Sequence, residues 1–398
     1  MKYTLFLTRR CNLACHYCYV GKVADRMSPQ VAGRVINFAF ENTPASEDIE
    51  IDFFGGEPLL EFPLLKEITF NLEADPRYDP RRVKVGLATN GTLLTLEMLE
   101  FFKRHCIGMT ISCDGPPPIQ DSHRPLADGS GSSRLVEQSI LSAVSVLGRV
   151  PLNAVFGPDT VEHLARTVEY FSSLGVRQIF LNPDFSARWT EKDVEKVPQS
   201  YRAVADAYMQ YYREGRPHFI SLLDHKITIM LRRGHQPLDK CRMGKGEFAF
   251  TPPGDVYPCE RLAASDPHSH VVGKVGDFVN IGPLRDHFAP GPPVNVSCLA
   301  CGIREYCVHW CGCSNYFMTG YYNRVSPFLC MSEQTSLRLA AEIFQTLELE
   351  LGPTFVRHFG DGLRTHKQNS LTSGMSEQSV QPRNDSTRNA EPMPVQAG

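Results

Sequence analysis

The sequence lacks several features that would settle its class at once. No apolar run approaches the roughly 18 residues a membrane-spanning helix needs. No block of like charge suggests a nucleic-acid or membrane-surface partner, and the formal net charge is only −3. There is no internal repeat. The opening "MKYTLFLTRRC" has one lysine and too short an apolar stretch for a secretory signal, so it reads as a first β-strand and the expected location is the cytoplasm. One further absence is local. Cys11, Cys15 and Cys18 form a C-x3-C-x2-C run, and no fourth cysteine follows nearby.

The 398 residues are 42% hydrophobic and 21% charged, enough for a sizeable core and two domains. Thirteen cysteines in a reducing compartment point to metal or redox chemistry rather than disulfides. Three are the opening triad, eight lie between Cys241 and Cys330, and only Cys106 and Cys113 fall between these groups. Those two, on a helix end and a strand, read as small buried residues.

Short strand patterns at 3–8, 49–54, 83–88, 108–113, 152–156 and 177–182 alternate with helical patterns. Ser28-Pro29 supplies a cap and a first-turn proline for a helix through about Asn42. Further helices are expected over roughly 61–74, 95–105, 133–148 and 160–174. This alternation argues for a parallel sheet of right-handed βαβ units, either an open six-unit barrel or a doubly wound sheet. Functional groups then collect at the C-terminal strand ends. Helical patterns over 198–232 read as a connector. From Cys241 to Cys330 glycine, proline and cysteine dominate, a composition expected to be held together by metal. Another helix is expected over 332–351. The polar last thirty or so residues are expected to be disordered.

Cys11, Cys15 and Cys18 follow the first strand directly. Their i, i+4, i+7 spacing also fits one face of a helix, and a zinc site completed by His16 or a distant residue is a second alternative. A third reading follows from counting ligands. A [4Fe–4S] cluster takes one thiolate per iron, so three cysteines leave one iron free. With Tyr17 in place, the run resembles the radical S-adenosylmethionine (SAM) enzymes, whose signature is C-x3-C-x-aromatic-C. That resemblance implies an α/β fold of the partial (β/α)6 TIM-like barrel type. It also implies a free iron that chelates SAM, which one electron then cleaves to methionine and a 5′-deoxyadenosyl radical. "FFGGEPLL" is similar to the family's GGE motif, which takes the SAM ammonium, and designates Gly55, Gly56 and Glu57. "ATNGTLL" and "ISCDGPP" end the third and fourth strands, so Asn90, Ser112 and Asp114 become SAM-facing candidates. Each is also an ordinary cap or turn residue.

The downstream spacing Cys241-x12-Gly254-x4-Cys259, then Cys298-x2-Cys301-x5-Cys307-x3-Cys311, then Cys330 resembles the SPASM extension of these enzymes. The resemblance implies two auxiliary [4Fe–4S] clusters. Cys298, Cys301, Cys307 and Cys330 would hold one, and Cys241, Cys259 and Cys311 the inner one. No further cysteine follows Cys241 in "CRMGKGEF", so the inner cluster is expected to have an open iron or a non-cysteine ligand. Cys313 is unassigned, a substitute ligand or a free thiol. Structural zinc is the alternative for this whole group. The expected organisation is a radical SAM core over 1–225, a linker end over 226–240, a SPASM domain over 241–335, a C-terminal helix over 336–365 and a disordered tail over 366–398.

SPASM enzymes mostly modify peptides or proteins, by cross-linking or by oxidising a side chain. The expected function is therefore oxidative peptide or protein maturation, with a flavodoxin- or ferredoxin-type reductant. The chain begins ten residues before Cys11. That leaves no room for the N-terminal leader-binding domain of many maturases, so a separate leader-binding protein or direct recognition is expected. "SCDGPPPIQDSHRP" also resembles the anaerobic sulfatase-maturating enzymes, which form formylglycine with an acidic base. Asp184 is the candidate for that base. The non-enzymatic alternative is an iron–sulfur electron carrier, for which a SAM site has no purpose.

Overall fold

The structure, a computed structural model, describes residues 1–236, 239–241, 243–263, 270–277, 279 and 295–359. The expected disordered tail over 366–398 lies outside the described residues. Six parallel strands form where the sequence patterns place them, each within a residue or two. These are β1 (Lys2–Thr8), β2 (Ile49–Gly55), β3 (Val83–Thr89), β4 (Ile107–Ser112), β5 (Leu152–Phe156) and β6 (Gln178–Pro183). They pair in chain order, with a two-residue β7 (Phe219–Ile220) beyond β6.

The helices between them arise from local signals. Ser28 caps α1 (Pro29–Asn42) by accepting from the Val31 amide, and Val31, Ala32, Val35, Ile36 and Ala39 form its buried face. Thr95 caps α3 (Leu96–Arg104) in the same way. α2 (Phe62–Ala74), α5 (Ser133–Leu147) and α6 (Leu164–Ser173) lie close to their expected spans. The short α4 (Pro117–His123) was not anticipated, because its prolines read as loop. Pro117 stands in the first turn, where a missing amide costs nothing.

The cysteine-rich stretch is also tied to the sheet through its backbone. Its β8 (Glu247–Phe250) pairs in parallel with the outer edge of β1, in the register Lys2↔Glu247 to Leu5↔Phe250. β9 (Asp255–Tyr257) and β10 (Gly273–Lys274) then add antiparallel strands, so one open ten-stranded sheet runs from β10 to β7. Phe248, Phe250 and Val256 join the same apolar core as Tyr3 and Val31. Gly254 turns the chain between β8 and β9 at φ +90°, a conformation that favours glycine. Lys2 Nζ bridges Asp52 on β2 at 3.3 Å and Glu260 at 3.0 Å, which ties the residue after Cys259 to the first two strands.

The helices read as a connector do more than connect. α7 (Glu191–Arg213) starts seven residues early, at a capping box between Thr190 and Asp193, and carries Pro198 within it. α8 (Ser221–Leu231) follows. Both pack under a long helix, Pro327–Leu351, whose Ser326-Pro327 start repeats the cap of α1 and precedes the expected Ser332. Trp189 stacks on Phe328 at 3.8 Å, Tyr201 bonds Ser332 at 2.9 Å, and Arg213 grips Glu350 with two bonds. Lys226 and Glu333 form a buried ion pair at 2.7 Å. Cys106 corrects the sequence reading: it is exposed, at a φ of +51° between α3 and β4, whereas Cys113 is buried as expected. Among the described residues no helix is long and apolar enough to cross a membrane.

Asp224 is buried at the start of α8, accepting from the Ile220 amide at 2.7 Å and from Tyr208 at 3.0 Å. Burial pushes its carboxyl from the usual range up to about 7. A raised carboxyl binds its proton more tightly in the folded chain. Its stabilising contribution is therefore full below about pH 4 and is lost as pH rises through about 7. The melting temperature of the wild type should fall between pH 5.5 and 8.5 by a few degrees more than that of Asp224→Asn. Equal slopes in the two proteins would refute this.

Candidate functional site

The site begins where β1 runs out beside Gly55 and Gly56. A Cβ at Gly55 would lie 2.1 Å from the Thr8 carbonyl oxygen, and one at Gly56 would lie 2.0 Å from that of Arg10. Only glycine allows this approach. The Gly56 amide then donates to Thr8 O and the Glu57 amide to Arg10 O, both at 2.9 Å. The GGE stretch thus grips the backbone that leads into Cys11. The Glu57 carboxylate is fully buried. It accepts from the Leu59 amide at 3.0 Å, the Thr89 hydroxyl at 2.7 Å and the Asn90 amide at 2.7 Å. Burial raises it to about 7 against those three bonds. Its carboxylate therefore joins the ends of β2 and β3, and Glu57 is not among the residues that line the cavity. Gly55 and Gly56 do line it.

The far side of the cysteine loop is held by residues 123–127. The Ala14 amide donates to Pro125 O at 2.8 Å, His16 to His123 O at 3.2 Å, and Ala127 to Asn12 O at 3.0 Å. Tyr17 donates its hydroxyl to Asp114 Oδ2 at 2.5 Å. Asp114 Oδ1 accepts from the Val155 amide at 2.9 Å and lies 3.0 Å from Arg124 Nε. The Arg124 guanidinium also sits 5.3 Å from the Tyr17 ring centre. Asp114 is thus a buried brace for Tyr17 and Arg124, and is not among the residues lining the cavity. Ser112 and Asn90 line the cavity. Asn90 also points Nδ2 at Cys11 Sγ, 3.8 Å away, and donates to Asn12 at 2.9 Å.

Between these two supports the backbone is irregular, so the thiols do not form a helical stripe. Cys11, Cys15 and Cys18 all face one cavity of about 220 Å³, at the C-terminal strand ends. A larger groove of about 590 Å³ sits at the opposite strand ends, lined by Val83, Ile107, Pro151 and Gln178, and gathers no comparable set of thiols. Burial raises Cys11, and raises Cys15 to about 11, so both are neutral thiols without metal. Among the described residues no three His, Cys, Asp or Glu side chains converge on a single ion position. Three thiols spread along one loop at a cavity mouth would suit a multi-iron cluster better than a single ion.

A family model for the radical SAM superfamily matches residues 5–180. The chain carries a radical SAM domain. That family implies a [4Fe–4S] cluster and SAM at this site. The chain is 24% identical over 274 residues to a cysteine-type anaerobic sulfatase-maturating enzyme of Clostridium novyi, covering 63% of this chain and 70% of the relative. It is 24% identical over 353 residues to a serine-type anaerobic sulfatase-maturating enzyme of Klebsiella aerogenes, covering 80% and 82%. Its fold matches native anSMEcpe with bound AdoMet and Cp18Cys peptide at a TM-score of 0.72 and 18% identity, covering 87% of this chain and 98% of that one.

Opposite the radical SAM cysteines, the cavity wall includes Asn153, Asn182, Glu260, Arg261 and Phe317, none of which the sequence reading singled out. Asn153 was the most legible, because it shares its strand face with Val155, another cavity residue. Asn182 Nδ2 donates to its carbonyl. Asp184 lines the cavity too. Its Oδ1 caps the following turn, accepting from Ser186 at 2.8 Å and from Ala187 at 3.2 Å, while Oδ2 has no partner among the described residues.

The second cysteine group divides in two. Cys241, Cys259, Cys311 and Cys313 pack together with Met243 and Leu262. Cys330, in the first turn of the long helix, lies within electrostatic reach of Cys298 and Cys301. Cys307 sits against the Glu333 carboxylate, one turn beyond Cys330. A Gly56→Ala variant should lose the radical SAM cluster, about four irons, because its methyl group displaces the loop at Arg10. Its circular dichroism should stay close to wild type. Wild-type iron content in this variant would show that the close approach is dispensable.

Proposed function

We propose that this chain is a radical SAM oxidoreductase that oxidatively modifies a peptide or protein, by cross-linking or by oxidising a side chain. The observation that carries the reading is a shared wall. Arg261 and Phe317 line the radical SAM cavity and also belong to the surroundings of Cys259, Cys311 and Cys313. A second iron–sulfur site there would stand beside any substrate in the cavity. The residues proposed to hold auxiliary clusters are those of the SPASM-type spacing, with the core over 1–225 and the SPASM domain over 241–335.

When bound, the cluster and SAM supply one-electron chemistry that removes a hydrogen atom from an unactivated C–H bond. Closed-shell product then requires loss of one more electron and a proton, a net two-electron oxidation for which a neighbouring electron acceptor is suited. The chain's own residues do the rest. The Gly55–Gly56 backbone, Asn90, Ser112 and the Arg124 cation offer polar contacts to an amino acid headgroup. Tyr19, Val20, Phe54, Phe185 and Phe317 make apolar walls that exclude water from a reactive intermediate. A peptide substrate is supported by the named activities of the curated relatives and by the peptide-bound structure of similar fold. A flavodoxin- or ferredoxin-type reductant completes the proposal.

Formylglycine formation is the second reading, favoured by the two sulfatase-maturating relatives. It needs a base at the cavity. Asp184 and Glu260 are the carboxylates there, and Glu260 is engaged by Lys2 and by Thr4 at 3.3 Å. Asp184→Asn should therefore cut product formation from a Cys- or Ser-bearing sulfatase peptide on the order of a hundredfold or more, while leaving 5′-deoxyadenosine release largely intact. Equal product from both proteins would remove Asp184 as the base.

The main test compares the anaerobically reconstituted wild type with Cys11/Cys15/Cys18→Ala. About twelve irons should fall to about eight, and reductive release of 5′-deoxyadenosine from SAM should disappear. About four irons in the wild type, all lost in the variant, would overturn the auxiliary-cluster reading. Iron without SAM cleavage would favour an electron carrier.

A further inference from the structure

The three-cysteine inner set of Cys241, Cys259 and Cys311 leaves one coordination position unassigned. Sequence spacing looks for its occupant just after Cys241, where the chain offers none. The fold brings one from elsewhere. Cys311 is the cap of the helix Gly312–Thr319, and the first turn of that helix turns Cys313 back into the same cluster of side chains. Cys313 is buried, its Sγ lies 3.8 Å from that of Cys311, and it is also in side-chain contact with Cys259. The other described residues packed there are Met243, Leu262, Tyr316, Phe317 and Tyr322. None of them matches a thiolate as an iron ligand.

We propose that Cys313 is the fourth thiolate of the inner site, so that Cys241, Cys259, Cys311 and Cys313 close it and leave no iron open to substrate. This rests on the reading above that the inner group holds an iron–sulfur cluster. A buried four-thiolate cluster carries net negative charge, which needs a nearby counter-charge. Arg261 provides it: its half-buried guanidinium interacts with Cys313, Cys311 and Cys259, and its other face meets Phe185 at 4.9 Å in the cavity wall. A substrate in the cavity therefore meets an arginine and an aromatic ring, with the thiolates behind them. The inner site exchanges electrons with the substrate and does not ligate it.

The assignment is tested in the Cys11/Cys15/Cys18→Ala background, where only the second cysteine group binds iron. The parent is compared with added Cys313→Ala, Cys313→Ser and Cys241→Ala by iron and zinc analysis, Mössbauer spectroscopy and EPR, with ¹³C-cyanide as the probe for an open iron. The parent should hold about eight irons and show no cyanide coupling. Cys313→Ala should lose about one iron, giving an oxidised three-iron EPR signal, or else should bind cyanide. Cys241→Ala should behave alike. The serine variant keeps the shape of the side chain and separates loss of the ligand from loss of packing. Cyanide coupling already present in the parent, with spectra unchanged in both Cys313 variants, would overturn the assignment. A parent with about four irons, or with zinc in the inner site, would instead overturn the cluster reading on which it rests.

Discussion

The whole site depends on one close contact between backbones. β1 and the Gly55–Gly56 turn approach so nearly that a single methyl group at either glycine would collide with a carbonyl oxygen. The two amide bonds made there direct the chain out of the sheet at Arg10, one residue before the first thiol. An irregular loop at a cavity mouth has no ladder or helix to satisfy its own polar groups, so neighbours must do it. The turn does so on one side and residues 123–127 do so on the other. The buried Glu57 and Asp114 carboxylates fix those two supports in turn, to β3 and to β5. These acids are structural anchors at a distance of one residue from the chemistry.

Electrostatics tell a consistent story across both cysteine groups. Burial pushes most of the thiols upward, including Cys241 to about 11 and Cys307 to about 12, so the metal-free chain carries them as neutral groups. Any metal bound there would have to expel protons, which would couple assembly to pH. A cation stands beside each cysteine group, the buried Arg124 at the opening triad and the half-buried Arg261 at the inner group. Each is positioned to offset the negative charge that thiolates would bring there.

Much of this was legible in the sequence, because it is written in local signals. Strand alternation, the Ser-Pro caps and the cysteine spacings all act within a few residues. What was missed is long-range. Glu57 and Asp114 carry the right residue types at the right strand ends, but whether a carboxylate faces a ligand or a neighbouring amide depends on packing. Arg124 and Arg261 sit in stretches without periodicity, and only the fold brings them to the cavity. The addition of β8 to the edge of β1 could not be read from "EFAF", which is short and flanked by glycine and proline. The Ser326-Pro327 start of the long helix was readable, since the same pair was recognised at Ser28-Pro29.

The pairing of Lys2 with Glu247 has a consequence for how the protein is made. β1 keeps its outer edge bare until residue 250 has left the ribosome. At typical synthesis rates of about 5–20 residues per second that is roughly ten to fifty seconds. For all of this time an aromatic-rich strand edge offers itself to other chains. The supports of the opening triad, by contrast, are complete once residue 127 and the fifth strand have emerged. A nascent chain is therefore able to shape its opening cysteine loop well before its sheet is sealed. Chaperones that shield strand edges, and the machinery that delivers iron, would meet the same half-built molecule.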